Sequence, residues 1–212
     1  MKIAVLALQG AFAEHAARLG ALGAEVREVR QLADWQQGGP WDGLVLPGGE
    51  STVMRRLMHE LGLYAPLRRA VGEEGLPVLG TCAGLILLAA RVEGDGPEGA
   101  RYPTIGTMDI TVCRNAYGRQ LGSFRTEASC LLPRGGAAAA AGEEAMSRRL
   151  PMTFIRAPYV REAGPGVQVL ATVGGRTVAV RQGRQLAVAF HPELDDDPRL
   201  HDYFLREVCG RH

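Results

Sequence analysis

Residues 76–90 read Leu76-Pro77-Val78-Leu79-Gly80-Thr81-Cys82-Ala83-Gly84-Leu85-Ile86-Leu87-Leu88-Ala89-Ala90. The apolar run Leu76 to Leu79 predicts a buried strand, Gly80 to Gly84 a sharp turn and Leu85 to Ala90 a helix, which together form the setting of a nucleophile elbow. Such a turn strains the backbone of its central residue and lets neighbouring chain pass close by, so glycine on either side of Cys82 has a steric reason. Free N–H groups at the start of the following helix favour the thiolate over the thiol. A buried structural cysteine in a glycine-rich turn is the competing reading, and the rest of the chain has to separate the two.

Outward from this stretch, Ile3 to Leu8, Glu25 to Val29 and Gly43 to Leu46 predict three further strands. Continuous apolar runs such as Ile3 to Leu8 are typical of parallel strands covered on both faces. Phe12, Ala16, Leu19 and Leu22 recur at helical spacing up to Gly23, and Thr52 to Leu61 and Leu63 to Val71 supply helices between the third and fourth strands. The alternation predicts an α/β fold with a mostly parallel central sheet and helices on both faces. Right-handed crossovers would then bring three loops to one sheet edge: Gln9-Gly10, Pro47 to Thr52 (PGGEST) and Gly80 to Gly84 (GTCAG). In the second half, Thr107 to Cys113, Val167 to Val173, Thr177 to Val180 and Leu186 to Phe190 are expected to extend that sheet with antiparallel additions. Asp197 is placed to cap a last helix starting at Pro198, and the alanine- and glycine-rich segment at about 134–146 reads as a flexible surface insertion.

A thiol nucleophile needs a base, and the base needs an orienting group. His191-Pro192-Glu193 supplies both: it follows a strand-like run, and Pro192 biases His191 toward an extended backbone, so that side chains two residues apart share a side. The other histidines, His15 and His59 on predicted helices and His201 and His212 near the C-terminus, are expected to be solvated or to pack. Donors for the oxyanion of a tetrahedral intermediate are available at the N–H of Ala83 and of Gly49. A phosphate cradle is a poorer reading of Gly48 to Thr52, because no lysine follows and Glu50 would repel a phosphate. These features predict an enzyme that opens a carboxamide through a thioester on Cys82.

The pieces GTCAG, HPE and PGGEST resemble the class I, or triad, glutamine amidotransferases. Added to LALQG (Leu6 to Gly10), RNAYGRQ (Arg114 to Gln120), FIRAP (Phe154 to Pro158) and FHPEL (Phe190 to Leu194), they resemble more narrowly the glutaminase subunits of pyridoxal 5'-phosphate synthase, the PdxT family. The resemblance implies a flavodoxin-like fold, hydrolysis of L-glutamine to glutamate and ammonia by Cys82, His191 and Glu193, and substrate contacts from Gly49, Glu50, Ser51, Arg114, Ile155 and Arg156. It further implies ammonia channelling to a PdxS-type (β/α)8 synthase subunit within a hetero-oligomeric complex, and both hydrolase and lyase are expected to describe the chain. Arginine suits the amino-acid carboxylate because its guanidinium binds such groups bidentately. The segment Leu131 to Leu150 is longer and blander than the family's pattern, and Tyr117 stands where phenylalanine is common.

Three other readings stay open on sequence: the glutaminase subunit of another amidotransferase such as imidazole glycerol phosphate synthase, a noncatalytic binding module on the same fold, and a cysteine peptidase. RNAYGRQ and FIRAP argue against the first, and the complete Cys82, His191 and Glu193 set argues against the second. At 212 residues with a formal charge of +1, the chain is expected to be one domain, 1–212, with no field that would gather nucleic acid. Cys82, Cys113, Cys130 and Cys209 form no metal-binding spacing, and no metal or cofactor is expected. No apolar run is long enough to span a membrane and no leader is evident at Met1, so a cytoplasmic location is expected.

Overall fold

The strands that build the site are those with the most continuously apolar sequence. In the computed structural model, which describes residues 1–114, 123–133 and 146–210, β1 (Lys2–Leu6), β3 (Gly43–Leu46), β4 (Val78–Thr81) and β12 (Gln185–Val188) lie side by side, all parallel, and nearly every residue in them is buried. β2 (Glu25–Val29) pairs parallel with β1 at the sheet edge, and its Glu-Val-Arg-Glu-Val sequence keeps charge along the exposed rim. The sheet continues past β12 through β11 (Arg176–Gln182), β9 (Tyr159–Ala163), β6 (Met108–Cys113) and β5 (Ala89–Glu93), while β10 (Gln168–Val173) pairs beside β11. β11, β9 and β6 alternate in direction, so the antiparallel additions are as expected, whereas β5 pairs parallel with β6.

Helices complete the crossovers. α1 (Phe12–Ala21) buries His15 and Leu19, α3 (Ser51–Glu60) buries Met54 and Met58, and α4 (Tyr64–Gly72) buries Leu67, Ala70 and Val71. α5 (Ala83–Leu88) is only six residues long and buried throughout. A helix that short has no stability of its own, and packing holds it: four large apolar side chains, at roughly 1.5–3 kcal/mol each, are removed from water. α2 (Leu32–Gly38), α6 (Gly96–Arg101) and α7 (Arg199–Tyr203, continued by a wider turn at Phe204–Val208) complete the helical set among the described residues.

Several boundaries differ from expectation. β4 begins at Val78, two residues later than the apolar run suggested, because Pro77 has no N–H for the ladder, and it extends through Thr81. α5 begins directly after Cys82 and gives way to β5 at Ala89, so the alanines read as helix start a strand. α7 starts at Arg199, with Asp197 Oδ1 accepting the Arg199 N–H at 3.0 Å.

The largest difference is a ten-residue antiparallel pair, β7 (Ser123–Leu132) with β8 (Met146–Ile155), which forms its own two-stranded sheet and does not extend the main one. Phe154 of β8 stacks on Phe124 at 4.6 Å between ring centroids and meets Phe190 edge-on at 5.8 Å, tying this pair to the end of β12. Most of the insertion at about 134–146, and the RNAYGRQ block beyond Arg114, lie outside the described residues. No helix among the described residues is long and apolar enough to cross a membrane.

Candidate active site

The C-terminal ends of β1, β3, β4 and β12 share one edge, and each carries a site loop. Cys82 sits between β4 and α5 with φ +48°, a region that costs a side-chain-bearing residue roughly 1–3 kcal/mol. Its backbone is held there at both ends: Cys82 N–H donates to Val188 O at 2.8 Å, and Cys82 O accepts from Ile86 N–H at 3.4 Å. The flanking glycines have specific reasons. A β-carbon on Gly84 would stand 1.9 Å from Leu46 O, and one on Gly80 would stand 2.7 Å from the Gly84 carbonyl. Thr81-Cys82-Ala83 can therefore make its turn only if glycine brackets it.

His191 reaches Cys82 from the end of β12. Its N–H donates to Thr153 O of β8 at 2.8 Å, and its Nδ1 meets Glu193 Oε1 at 2.7 Å. The three residues are almost fully enclosed: Cys82 is 6%, His191 7% and Glu193 4% exposed. Burial acts to lower the His191 pKa, but hydrogen bonds to Cys82 and Glu193 outweigh it and push the imidazole up to about 10. Burial likewise acts to raise the Glu193 carboxyl, and its contacts with His15 and His191 overcome this and hold it at about 2. This is the electrostatic pattern of an imidazolium held between a sulfur and a carboxylate. Cys130 and Cys209 contrast with it: burial pushes both thiols up to about 12, which keeps them protonated and inert.

The His191 ring rests over Gly48. A β-carbon there would lie 2.3 Å from its Cε1 and 2.8 Å from its Nδ1, which gives the first glycine of PGGEST a role in seating the imidazole. Gln9, in the loop after β1, fixes the PGGEST loop, its Oε1 accepting the Glu50 N–H at 2.7 Å. The Glu50 carboxylate caps α3 by accepting from Thr52 and Val53 N–H groups at 3.1 and 2.8 Å. Burial acts to raise the Glu50 pKa, but those N–H groups and Arg114 hold it low.

A cavity of about 330 Å³ opens in front of the sulfur, a volume suited to a small ligand. Gly49, Glu50, Ser51, Cys82, Ala83, Arg114, Ile155, Arg156 and His191 all line it, so these residues, distant in sequence, are brought together. Glu193 is the one expected site residue that does not line the cavity; it contacts His191 Nδ1 instead. Arg114 crosses the rim, with Thr52 Oγ1 at 3.0 Å and the carboxylates of Glu50 and Asp95 each at 3.4 Å. Ile155 presents its carbonyl 3.9 Å from Cys82 Sγ, and Arg156 turns the chain with φ +44°.

Of the two alternatives expected for His15 and His201, solvated or packed, the structure has the packed one: both are 0% exposed, and His15 Nε2 lies 3.2 Å from Glu193 Oε2. The sequence offered a weak signal for His15, since a histidine on the apolar stripe of an amphipathic helix needs a polar partner inside. Gln9 was placed on the site edge with its loop, though its bond to Glu50 was not foreseen, and Asp95, which holds Arg114, was missed because an aspartate outside any motif carries no local mark.

Comparison with known proteins identifies the family. Residues 5–210 match the SNO glutamine amidotransferase family, and the chain belongs to that family. More particularly, it is 50% identical over 210 residues, 99% of either chain, to a Methanocorpusculum labreanum protein named pyridoxal 5'-phosphate synthase subunit PdxT. It is also 50% identical over 206 residues, 97% of this chain and 96% of the other, to the protein of the same name from Streptococcus pneumoniae. A crystal structure titled glutamine amidotransferase superposes with a TM-score of 0.82 at 41% identity, covering 99% of both chains. A GMP synthase protein from Thermoplasma acidophilum shares the fold at 16% identity, with a TM-score of 0.64, over 99% of this chain and 94% of the other. Glutamine amidotransferase describes this chain as a hydrolase; lyase does not describe it.

Proposed function

We propose that this chain is the glutaminase subunit of a pyridoxal 5'-phosphate synthase, hydrolysing L-glutamine to L-glutamate and ammonia and passing the ammonia to a PdxS-type synthase partner. The observation that carries the chemistry is the enclosed series of Cys82, His191 and Glu193, with Nδ1 of His191 2.7 Å from the carboxylate and the sulfur facing a cavity. The identity of the partner is supported by the names of the relatives at 50% identity.

In this reading the Cys82 thiolate attacks the side-chain amide carbon of glutamine, and the N–H groups of Ala83 and Gly49 receive the oxyanion. His191, held protonated by its two neighbours, gives its proton to the departing ammonia and leaves a glutamyl thioester. Water then attacks the thioester with His191 as base, releasing glutamate and restoring the thiolate and imidazolium pair. Glu193 keeps the imidazole in the tautomer that points Nε2 at sulfur. Gly49, Glu50 and Ser51 on one side, and Ile155 and Arg156 on the other, form the walls against which the amino acid lies, and Arg114 binds its carboxylate. Residues 1–212 act as one glutaminase domain, which the continuous main sheet supports.

The test is glutamine hydrolysis with and without a purified PdxS-type partner, with Cys82→Ala as the control. Strong stimulation by the partner and loss of activity in Cys82→Ala are expected. Equal rates for variant and wild type would refute the mechanism, and activation only by a different synthase would refute the assignment.

A further inference from the structure

The Glu193 carboxylate has two oxygens, and the mechanism above uses one. Oε1 is bonded to His191, while Oε2 is buried with no well-aligned hydrogen-bond donor. The polar group beside it is His15 Nε2 at 3.2 Å, which is also 3.0 Å from Thr81 Oγ1, the hydroxyl of the residue before the nucleophile. On its other side His15 Nδ1 lies 3.0 Å from His201 Nε2 of α7. The His201 Nδ1 is buried without a partner. All three side chains, Glu193, His15 and His201, are closed off from solvent.

These contacts admit one economical proton arrangement. A lone pair of His15 Nε2 facing an anionic carboxylate would be repelled, so Nε2 carries the hydrogen, aligned on Thr81 Oγ1 at 3.0 Å with Glu193 Oε2 close by at 3.2 Å. Nδ1 of His15 then accepts from His201 Nε2–H, and His201 Nδ1, being unprotonated, leaves no buried donor unsatisfied. Burial above all holds the His201 pKa down at about 3, so this ring is neutral. The charged and titratable groups around the pair are Glu193 and His191 from the turn after β12, Cys82 from the elbow, and Arg18 and Asp195, which bond to each other through the Asp195 carbonyl.

Resting on the proposed glutaminase reading, we propose that His15 is a positioning residue of the site: an imidazole oriented by His201 and Thr81 that joins the triad carboxylate to the elbow strand. It restrains Glu193 so that Oε1 stays on His191.

The test compares His15→Ala, His15→Gln and Leu19→Ala, the last being a buried residue of the same helix remote from Glu193. Glutamine hydrolysis is measured in the complex with the synthase partner, and Cys82 alkylation by iodoacetamide is followed against pH in the same proteins. In glutamine the side-chain amide N–H occupies the place of imidazole Nε2–H. His15→Ala is expected to lower kcat about 10- to 100-fold with little change in KM, as for a lost hydrogen bond to a charged group, and to move the alkylation midpoint to higher pH. His15→Gln should recover most of both, and Leu19→Ala should lose thermal stability while keeping kcat within about threefold of wild type. A His15→Ala protein with wild-type kcat and alkylation profile, or a His15→Gln protein no better than His15→Ala, would overturn the role. Absence of glutamine hydrolysis even in wild type with partner would instead count against the proposed function, and the alkylation profiles would still decide the part played by His15.

Discussion

Replacing Gly48 by alanine should disable the site through one misplaced ring. The backbone at Gly48 is not in the left-handed region, so alanine meets no conformational penalty there; the obstacle is His191, whose Cε1 would lie 2.3 Å from the new β-carbon. Ordinary contact begins near 3.4 Å, so the imidazole or the loop has to yield by about 1.1 Å. The loop is pinned by the Glu50 N–H bond to Gln9 and the Ala11 N–H bond to Gly48 O, whereas the ring hangs on a single side-chain torsion pair, so the ring moves. A shift of that size breaks its 2.7 Å contact with Glu193 and withdraws Nε2 from sulfur. Misplacement by about 1 Å costs on the order of 100-fold in rate, and local overpacking costs about 1–3 kcal/mol in stability. Initial rates of glutamine hydrolysis in the partner complex, read beside thermal unfolding, separate the two effects. Gly166→Ala, where a β-carbon would meet nothing within 4 Å, is the matched control. A folded Gly48→Ala protein that turns over within about threefold of wild type would refute the claim that this glycine exists to seat the imidazole.

Glu193→Gln should leave the fold in place and reduce kcat by roughly a thousandfold or more, because an amide can present its NH₂ to Nδ1 and favour the wrong tautomer; steady-state kinetics will show this as a loss in kcat and not in KM. Arg114→Ala should raise KM for glutamine about tenfold or more with kcat little changed, and Arg114→Lys should restore it only in part, since an ammonium cannot bind a carboxylate bidentately. Stability should pass through a maximum near pH 6.5. Below it, His201, whose folded pKa of about 3 lies under its ordinary 6.5, takes up a proton only on unfolding, which removes about 2 kcal/mol by about pH 5; Glu193, depressed from 4.5 to about 2, adds further loss below 4.5. Above it, His191, raised from 6.5 to about 10, loses its contribution as pH climbs toward 10. Urea midpoints measured across this range should show the acid limb flattened in His201→Gln. Gly20→Ala, inside α1 with open space around the new methyl, should stabilise by up to about 1 kcal/mol without touching activity, measured by the same denaturation.

The parts of this fold that were legible in the sequence are those in which one local pattern had one physical meaning. Continuous apolar runs gave β1, β3 and the neighbourhood of β4, because a parallel strand covered on both faces must be apolar throughout. The elbow was legible because a strained turn under a packed helix tolerates only glycine beside the nucleophile, and the 1.9 Å approach of a β-carbon on Gly84 to Leu46 O shows how strict that demand is. His191 and Glu193 were legible as a pair, but for a different reason than the expected extended backbone: Pro192–Leu194 form a single 3-10 turn after His191, and that turn brings the carboxylate to Nδ1.

What escaped was nonlocal. The β7 and β8 pair stands apart from the main sheet, and its Ser123 to Leu132 strand alternates exposed with half-buried residues over most of its length, which gave no apolar signal. His15 looked like one more residue of an amphipathic helix, because its partners come from residues 66 and 186 positions away in sequence. Arg114 was singled out for a substrate carboxylate, but nothing in the sequence tied it to Asp95 and Glu50, whose carboxylates hold the guanidinium at the rim. The cavity wall formed by Ile155 and Arg156 depends on β8 meeting His191 through Thr153, a contact that only the folded chain creates.

The measurement closest to the heart of the account is capture of the covalent intermediate. Enzyme and synthase partner are mixed with glutamine, quenched in acid during turnover and digested with trypsin, and the Ala70 to Arg91 peptide, in which Cys82 is the sole cysteine, is weighed. The account predicts a glutamyl group on that peptide, lost under mild base and absent in Cys82→Ser. Turnover of glutamine with the peptide always unmodified, or a Cys82→Ala protein that still releases ammonia at the wild-type rate, would contradict it.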